Sequence, residues 1–204
     1  MQVQKINGSG VMIFIECKQE IYVLLLSSTG RGGVFFTEAG GKLEPRLNTE
    51  ENAIKELFEE TYATFKVKSL KQSKNVIVNN KYVCFTIKIQ MDDLMDIEKI
   101  MKNNRKILNE QKGLNSYREM FGFQFVKVND LLQLKQKSIQ SNGQQISLHK
   151  RTINSFEELI KQKIIREDFT VDVPVSQCQV LQHQYENQND KLHSLNKQCY
   201  LSIS

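Results

Sequence analysis

No apolar run in this sequence is long enough to cross a bilayer. The longest, "VMIFIE" and "IYVLLL", are split by "CKQE", whereas a membrane helix needs roughly 20 apolar residues in succession. The opening residues "MQVQKINGSG" carry neither a secretory apolar core nor an Arg-rich transit pattern, so a soluble chain in the cytoplasm or nucleus is expected. CxxC pairs are also missing. Cys17, Cys84, Cys178 and Cys199 are isolated, which predicts free thiols in a reducing compartment. Cys178, His183, His193 and Cys199 offer two thiolates and two imidazoles to a zinc ion, but short ligand pairs are the usual device and these spacings only loosely approach it; the plain reading is a polar tail. Neither sign of charge dominates. Lys and Arg number 28 against 23 Asp and Glu, a formal net charge of +5 spread along the chain. That balance can favour anionic substrates without marking a nucleic-acid module. The densest basic run, Lys66, Lys68, Lys71 and Lys74, reads as a solvated strand face. Internal repeats and low-complexity tracts are absent.

What is present is enough apolar residue for one core. With 204 residues, 40% of them hydrophobic, the length suits one domain or one domain plus an appendage. Strands are predicted at 11–16, 21–26 and 33–40, the first two joined at hairpin length. A helix follows at about 49–61, with Asn48 or Thr49 as N-cap and acids in its first turn. "NVIV" and "KYVCFTIKI" flank Asn79-Asn80, and Asn tolerates the positive φ that a two-residue hairpin needs. Leu94, Ile97, Ile100 and Met101 give residues 92–111 an amphipathic helical pattern, inserted in a loop. A strand at 118–128 and a helix capped by Asn129 or Asp130 would close a domain over 1–138. A helical extension over 139–165, capped at Ser155, comes next. Residues 166–204 read as a polar tail, disordered or docked on a protein partner.

The chemistry concentrates in "GGKLEPRLNTEENAIKELFEETYA", residues 40–63. At about 100° per residue, Glu56, Glu59 and Glu60 share one face of the helix, while Ile54, Leu57 and Thr61 point nearly the opposite way. Like charges three or four residues apart repel by about 0.2–0.5 kcal/mol per pair, so the grouping suggests a positive occupant. Mg²⁺ fits, because it takes oxygen ligands and shares its shell with water and phosphate; a solvent-facing acidic surface is the alternative. Gly40 and Gly41 end a strand just before this helix, where glycine lets a backbone carbonyl approach the carboxylates.

This stretch resembles the box of the Nudix family: Gly, five residues, Glu, seven residues, Arg-Glu, an aliphatic, any residue, Glu-Glu, any residue, Gly and an aliphatic. The box Gly falls on Gly41, the Arg-Glu pair on Lys55-Glu56, the aliphatic on Leu57 and the acidic pair on Glu59-Glu60. The resemblance implies an α/β fold, an α/β/α sandwich with a mixed sheet. It also implies hydrolysis of a diphosphate joined to another group, often in a nucleoside diphosphate derivative, with Mg²⁺ or Mn²⁺ held by Glu56, Glu59, Glu60 and the Gly40 carbonyl. Glu119, opening a later strand, matches a further metal-binding or base glutamate of several members, and Glu44 matches the loop acid; a plain strand-edge or loop charge is the other reading of each. The implied partner is a small phosphoanhydride, with RNA only as a capped or 5′-phosphorylated end. Three positions depart from the pattern. The upstream Glu is Leu47, the Arg is Lys55 and the helix-ending Gly is Tyr62; Arg46 also stands where the family often has Gly. Losing the carboxylate while replacing the Arg fork by a point charge looks like one coordinated change. Two readings follow: a metal-dependent hydrolase, or a degenerate domain kept as a structural or binding subunit that docks through the 92–111 helix and the tail.

Overall fold

A computed structural model describes residues 5–30, 33–110, 120–132, 138–141 and 144–183. The chain opens with β1 (Gly8–Cys17), β2 (Glu20–Gly30), β3 (Gly33–Thr37) and β4 (Ala39–Lys42), then α1 (Thr49–Glu60). β5 (Phe65–Val67), β6 (Asn75–Val78), β7 (Tyr82–Gln90) and α2 (Leu94–Glu110) follow. The rest is β8 (Gly122–Lys127), α3 (Val128–Leu132), β9 (Ser138–Ser141), β10 (Gln144–Ser147), α4 (Lys150–Lys161) and β11 (Cys178–Val180).

Seven strands form one sheet in the order β3-β2-β1-β7-β6, with β4 added to β1 and β8 to β2. β1 and β7 run parallel from Gly8 beside Tyr82 to Glu16 beside Gln90, while the other pairings are antiparallel, so the sheet is mixed. Both faces are covered. Val11, Ile13 and Ile15 of β1 pack with Ala53 and Leu57 of α1 and with Ile97 and Met101 of α2. Met12 and Phe14, between them in sequence, pack with Phe156 and Leu159 of α4 on the other side. A strand buried on both faces needs a continuous apolar run rather than an alternating one, which is why "VMIFIE" reads as it does. The layers are the α/β/α sandwich expected.

Both short hairpins form. Asn79 and Asn80 take φ of 50° and 56°, and Lys18 and Gln19 take 50° and 68°, the left-handed pair that matches the twist of flanking strands. Cys17, Cys84 and Cys178 are free thiols. Among the described residues no helix is long and apolar enough to cross a membrane. The basic run does not form a strand face: Lys66 alone lies on β5, Lys68 and Lys71 are exposed in the connection to β6, and Lys74 there pairs with Asp172 at 2.7 Å.

Three local expectations are corrected. α3 begins at Val128, ahead of Asn129 and Asp130. α4 begins at Lys150 and is capped by His149, whose Nδ1 accepts the Arg151 N–H at 3.2 Å; Ser155 lies buried inside the helix and donates to the Arg151 carbonyl at 3.0 Å. Thr152, Phe156 and Leu159 share its inner face, a four-and-three spacing that the polar run before Ser155 obscured. Residues 166–183, expected in the polar tail, pack onto the core. Val171 and Val173 enter one hydrophobic cluster and Val180 the other, and β11 pairs with β5. Lone valines between polar residues carry little periodic signal; they bury here because the core already offers a groove and β5 an open edge. His193 and Cys199, two of the four zinc candidates, lie outside the described residues, while His183 Nε2 sits 3.3 Å from the Ala63 carbonyl.

Candidate active site

The glycine pair and the acidic helix are brought together by the loop between β4 and α1. Asn48 caps α1: its side chain accepts the Glu51 N–H at 2.9 Å, and Glu51 accepts the Asn48 N–H at 2.9 Å, a reciprocal capping box. Asn52, fully buried one turn later, accepts the Glu44 N–H at 2.9 Å and donates to Ser9 Oγ at 3.2 Å. The loop is thereby tied both to α1 and to β1. Asn52 drew no attention in the sequence, because an Asn near a helix start looks like ordinary solvated polarity.

Gly40 and Gly41 then lie against the C-terminal half of α1. The Gly40 N–H donates to Glu60 Oε2 at 2.6 Å. A Cβ on Gly41 would stand 2.5–3.0 Å from the carboxyl atoms of Glu56, so only glycine admits that side chain. The contact Gly40 makes with an acid is a donated N–H, where the resemblance implies a carbonyl ligand. Glu60 is only 5% exposed, which corrects the expectation that all three acids face away from the core; Glu56 and Glu59 are half-buried.

Lys55 ties the outer acids together. Its Nζ lies 2.7 Å from Glu59 Oε2 and 3.0 Å from Glu44 Oε1. Burial opposes its charge, but the hydrogen bonds to Glu59 and Glu44 outweigh burial and hold the ammonium above its ordinary range. The partner missing at Leu47 is thus replaced by Glu44, three residues earlier in the loop. Leu47 itself is half-buried, its N–H donating to the Glu44 carbonyl at 3.3 Å.

The two positions where the family favours glycine keep a glycine-like backbone. Arg46 has φ of 78° and Tyr62 of 57°, with Ala63 next at 54°. Left-handed geometry costs an L-residue roughly 1–2 kcal/mol. Tyr62 recovers this by burying its ring completely and donating its hydroxyl to the Met120 carbonyl at 3.2 Å. Burial pushes that hydroxyl up to about 12. The Arg105 guanidinium of α2 lies 5.7 Å from the ring centroid, linking the inserted helix to the end of α1. Glu119 lies outside the described residues.

The donor set suits a hard dication, since Glu56, Glu59 and Glu60 offer oxygen alone, and a cation, the Lys55 ammonium, already sits between Glu59 and Glu44. Among the described residues no three His, Cys, Asp or Glu side chains converge closely enough to form a metal site as they stand. A cleft of about 890 Å³ opens between α2 and β8, lined by Tyr22, Arg105, Lys106, Phe123 and Phe125 among others. None of Glu44, Glu56, Glu59 and Glu60 is among its lining residues.

No family model matches the sequence, and no curated protein matches it. Nudix hydrolases are among its neighbours of known structure. An Ap4A hydrolase of C. elegans in a binary complex aligns at 16% identity over 63% of this chain and 85% of its own, with a TM-score of 0.40. A Nudix hydrolase from M. Smegmatis, RenU, aligns at 10% identity over 78% and 86%, TM-score 0.42. The NUDIX domain of Shewanella oneidensis NrtR, complexed with ADP ribose, aligns at 13% identity over 78% and 88%, TM-score 0.42. Likenesses this distant transfer neither an activity nor a residue role.

Proposed function

We propose that the chain is a Nudix-type hydrolase that cleaves the diphosphate linkage of a nucleoside diphosphate derivative or a related phosphoanhydride, with Mg²⁺ or Mn²⁺ as cofactor, and that RNA could enter only by a capped or 5′-phosphorylated end. The observation that carries this reading is the closure of the glycine pair on the acidic helix: the Gly40 N–H on Glu60, and the Glu56 carboxylate in the space beside Gly41. Glu56, Glu59 and Glu60 are the residues to hold the metal, which when bound polarises phosphoryl oxygens and lowers the pKa of an attacking water. Gly40 orients Glu60, and the Asn48–Asn52 ties keep the loop over the helix. Glu119 remains the candidate for the base or a further ligand.

A specific observation favours a second reading. Lys55 stands between Glu59 and Glu44 as an internal counter-ion, as it would in a site retired from metal chemistry and kept as a structural or binding subunit, with α2 and the C-terminal residues as docking elements. A panel of nucleoside diphosphate derivatives, dinucleoside polyphosphates, capped RNA and diphosphoinositols with Mg²⁺, run beside a Mn²⁺ titration, separates the two. Turnover that disappears in Glu59→Gln supports the hydrolase. No turnover and no Mn²⁺ binding by the wild-type protein overturns it.

A further inference from the structure

Behind the glycine pair, on the face of the sheet away from α1, lies a buried polar cluster that the proposed reaction does not use. Glu38, between β3 and β4, is wholly buried. It accepts from Arg151 Nε at 2.9 Å, from Thr37 Oγ1 at 3.2 Å and from the Thr152 hydroxyl. Arg151 also donates to Thr37 Oγ1 at 3.0 Å and to the Glu38 carbonyl at 3.3 Å. The same guanidinium lies 4.7 Å from the centroid of the Tyr82 ring. The Tyr82 hydroxyl is buried without a hydrogen-bond partner among the described residues. Its place explains why it is there: a Cβ on Gly40 would fall 2.1 Å from that oxygen, and one on Gly10 2.0 Å from it. The hydroxyl fills the notch formed by two facing glycines of β1 and β4.

We propose that Tyr82, clamped by Arg151, is a positioning residue for the candidate metal site: its hydroxyl backs Gly40 so that the Gly40 N–H meets the Glu60 carboxylate. The chain of contact is continuous, from Glu38 to Arg151, to the Tyr82 ring, to Gly40 and to the Glu60 carboxylate. A hydroxyl without a partner has no hydrogen bond to offset its desolvation, and what it contributes here is contact with the two glycines it fills between. The cation side of this proposal rests on the metal-site reading above; the Gly40 side does not.

Tyr82→Phe separates positioning from stability. Removing an unpartnered hydroxyl should leave the melting temperature unchanged or raise it. The Gly40 amide, freed from its backstop, should exchange with solvent faster by NMR, and Mn²⁺ affinity should fall by about tenfold, the scale at which loss of a supporting contact weakens a metal site. Arg151→Lys keeps the charge beside Glu38 but loses the planar fork over the ring, so it should shift both readouts in the same direction by less. Wild-type Mn²⁺ binding with Tyr82→Phe unchanged in affinity or in Gly40 exchange overturns the positioning role alone. A wild-type protein that binds no Mn²⁺ overturns the metal-site reading and the role toward it. Should Tyr82→Phe melt lower, Arg151→Lys decides: no change in its Gly40 exchange overturns the proposal.

Discussion

Restoring the family glycine at position 62 should weaken this protein. Tyr62→Gly relieves a left-handed backbone worth roughly 1–2 kcal/mol. Against this, it removes a ring that is 0% exposed, and emptying such an aromatic site costs about 3–5 kcal/mol. Glycine also widens the unfolded ensemble, a further cost of about 0.4–1 kcal/mol. The balance is a loss of about 2–4 kcal/mol, and at roughly 2–4 °C per kcal/mol for a chain of this size the melting temperature should drop by about 5–15 °C. Urea denaturation followed by circular dichroism measures the loss directly, and Tyr62→Phe isolates the hydroxyl bond to Met120 at about 1 kcal/mol. A Tyr62→Gly protein as stable as the wild type would refute the reasoning, because backbone strain would then outweigh the buried ring. The box would in that case have drifted at this position for some reason other than packing.

Other perturbations test the ion pairs. Arg151→Met leaves the buried Glu38 carboxylate without its cation, and the expected loss of about 3–5 kcal/mol should appear as an earlier urea midpoint. Glu38 itself is opposed by burial but held below the usual carboxylate range by the Arg151 charge and the Thr152 hydrogen bond. A depressed folded pKa means that the stability from this pair is present above the unfolded value of 4.5 and is lost as pH falls through the folded one. The stability gap between wild type and Glu38→Gln should therefore be wide at neutral pH and narrow in acid; a gap that widened in acid would reverse the assignment. Lys55→Met removes the positive charge from Glu59 and Glu44. A unit charge about 4 Å away is worth about 1 kcal/mol in water and about 4 kcal/mol near a protein surface, so Mn²⁺ should bind about tenfold tighter or better by calorimetry, while the loss of a partly exposed pair costs stability at most about 1 kcal/mol.

The strands that form the sheet's centre were legible in the sequence because β1 and β2 hold continuous apolar runs and β7 one broken only by Thr86 and Lys88, and a run buried on both faces needs no partner to be recognised. Asn79-Asn80 announced its hairpin for a similarly local reason: two residues must take positive φ, and Asn does so cheaply. Asn48 and Glu51 fixed the start of α1 through a reciprocal bond three residues apart, and the spacing of Gly41, Glu56, Glu59 and Glu60 placed the glycines before the acids. All of these are decided within a few residues along the chain. Burial of Glu60 was not, since helical periodicity sets the angle between side chains and says nothing of what lies across from them. Gly40 comes to Glu60 only once β4 has paired with β1. The same holds for β11, whose short apolar pattern becomes a strand only because β5 offers an edge. It holds also for Arg151, whose partner Glu38 lies 113 residues earlier and is buried beneath it. Short-range preferences set the elements and the order of the motif; which charges meet, and which are removed from water, followed from the packing of distant segments, where desolvation and ion pairing compete on scales that no single segment contains.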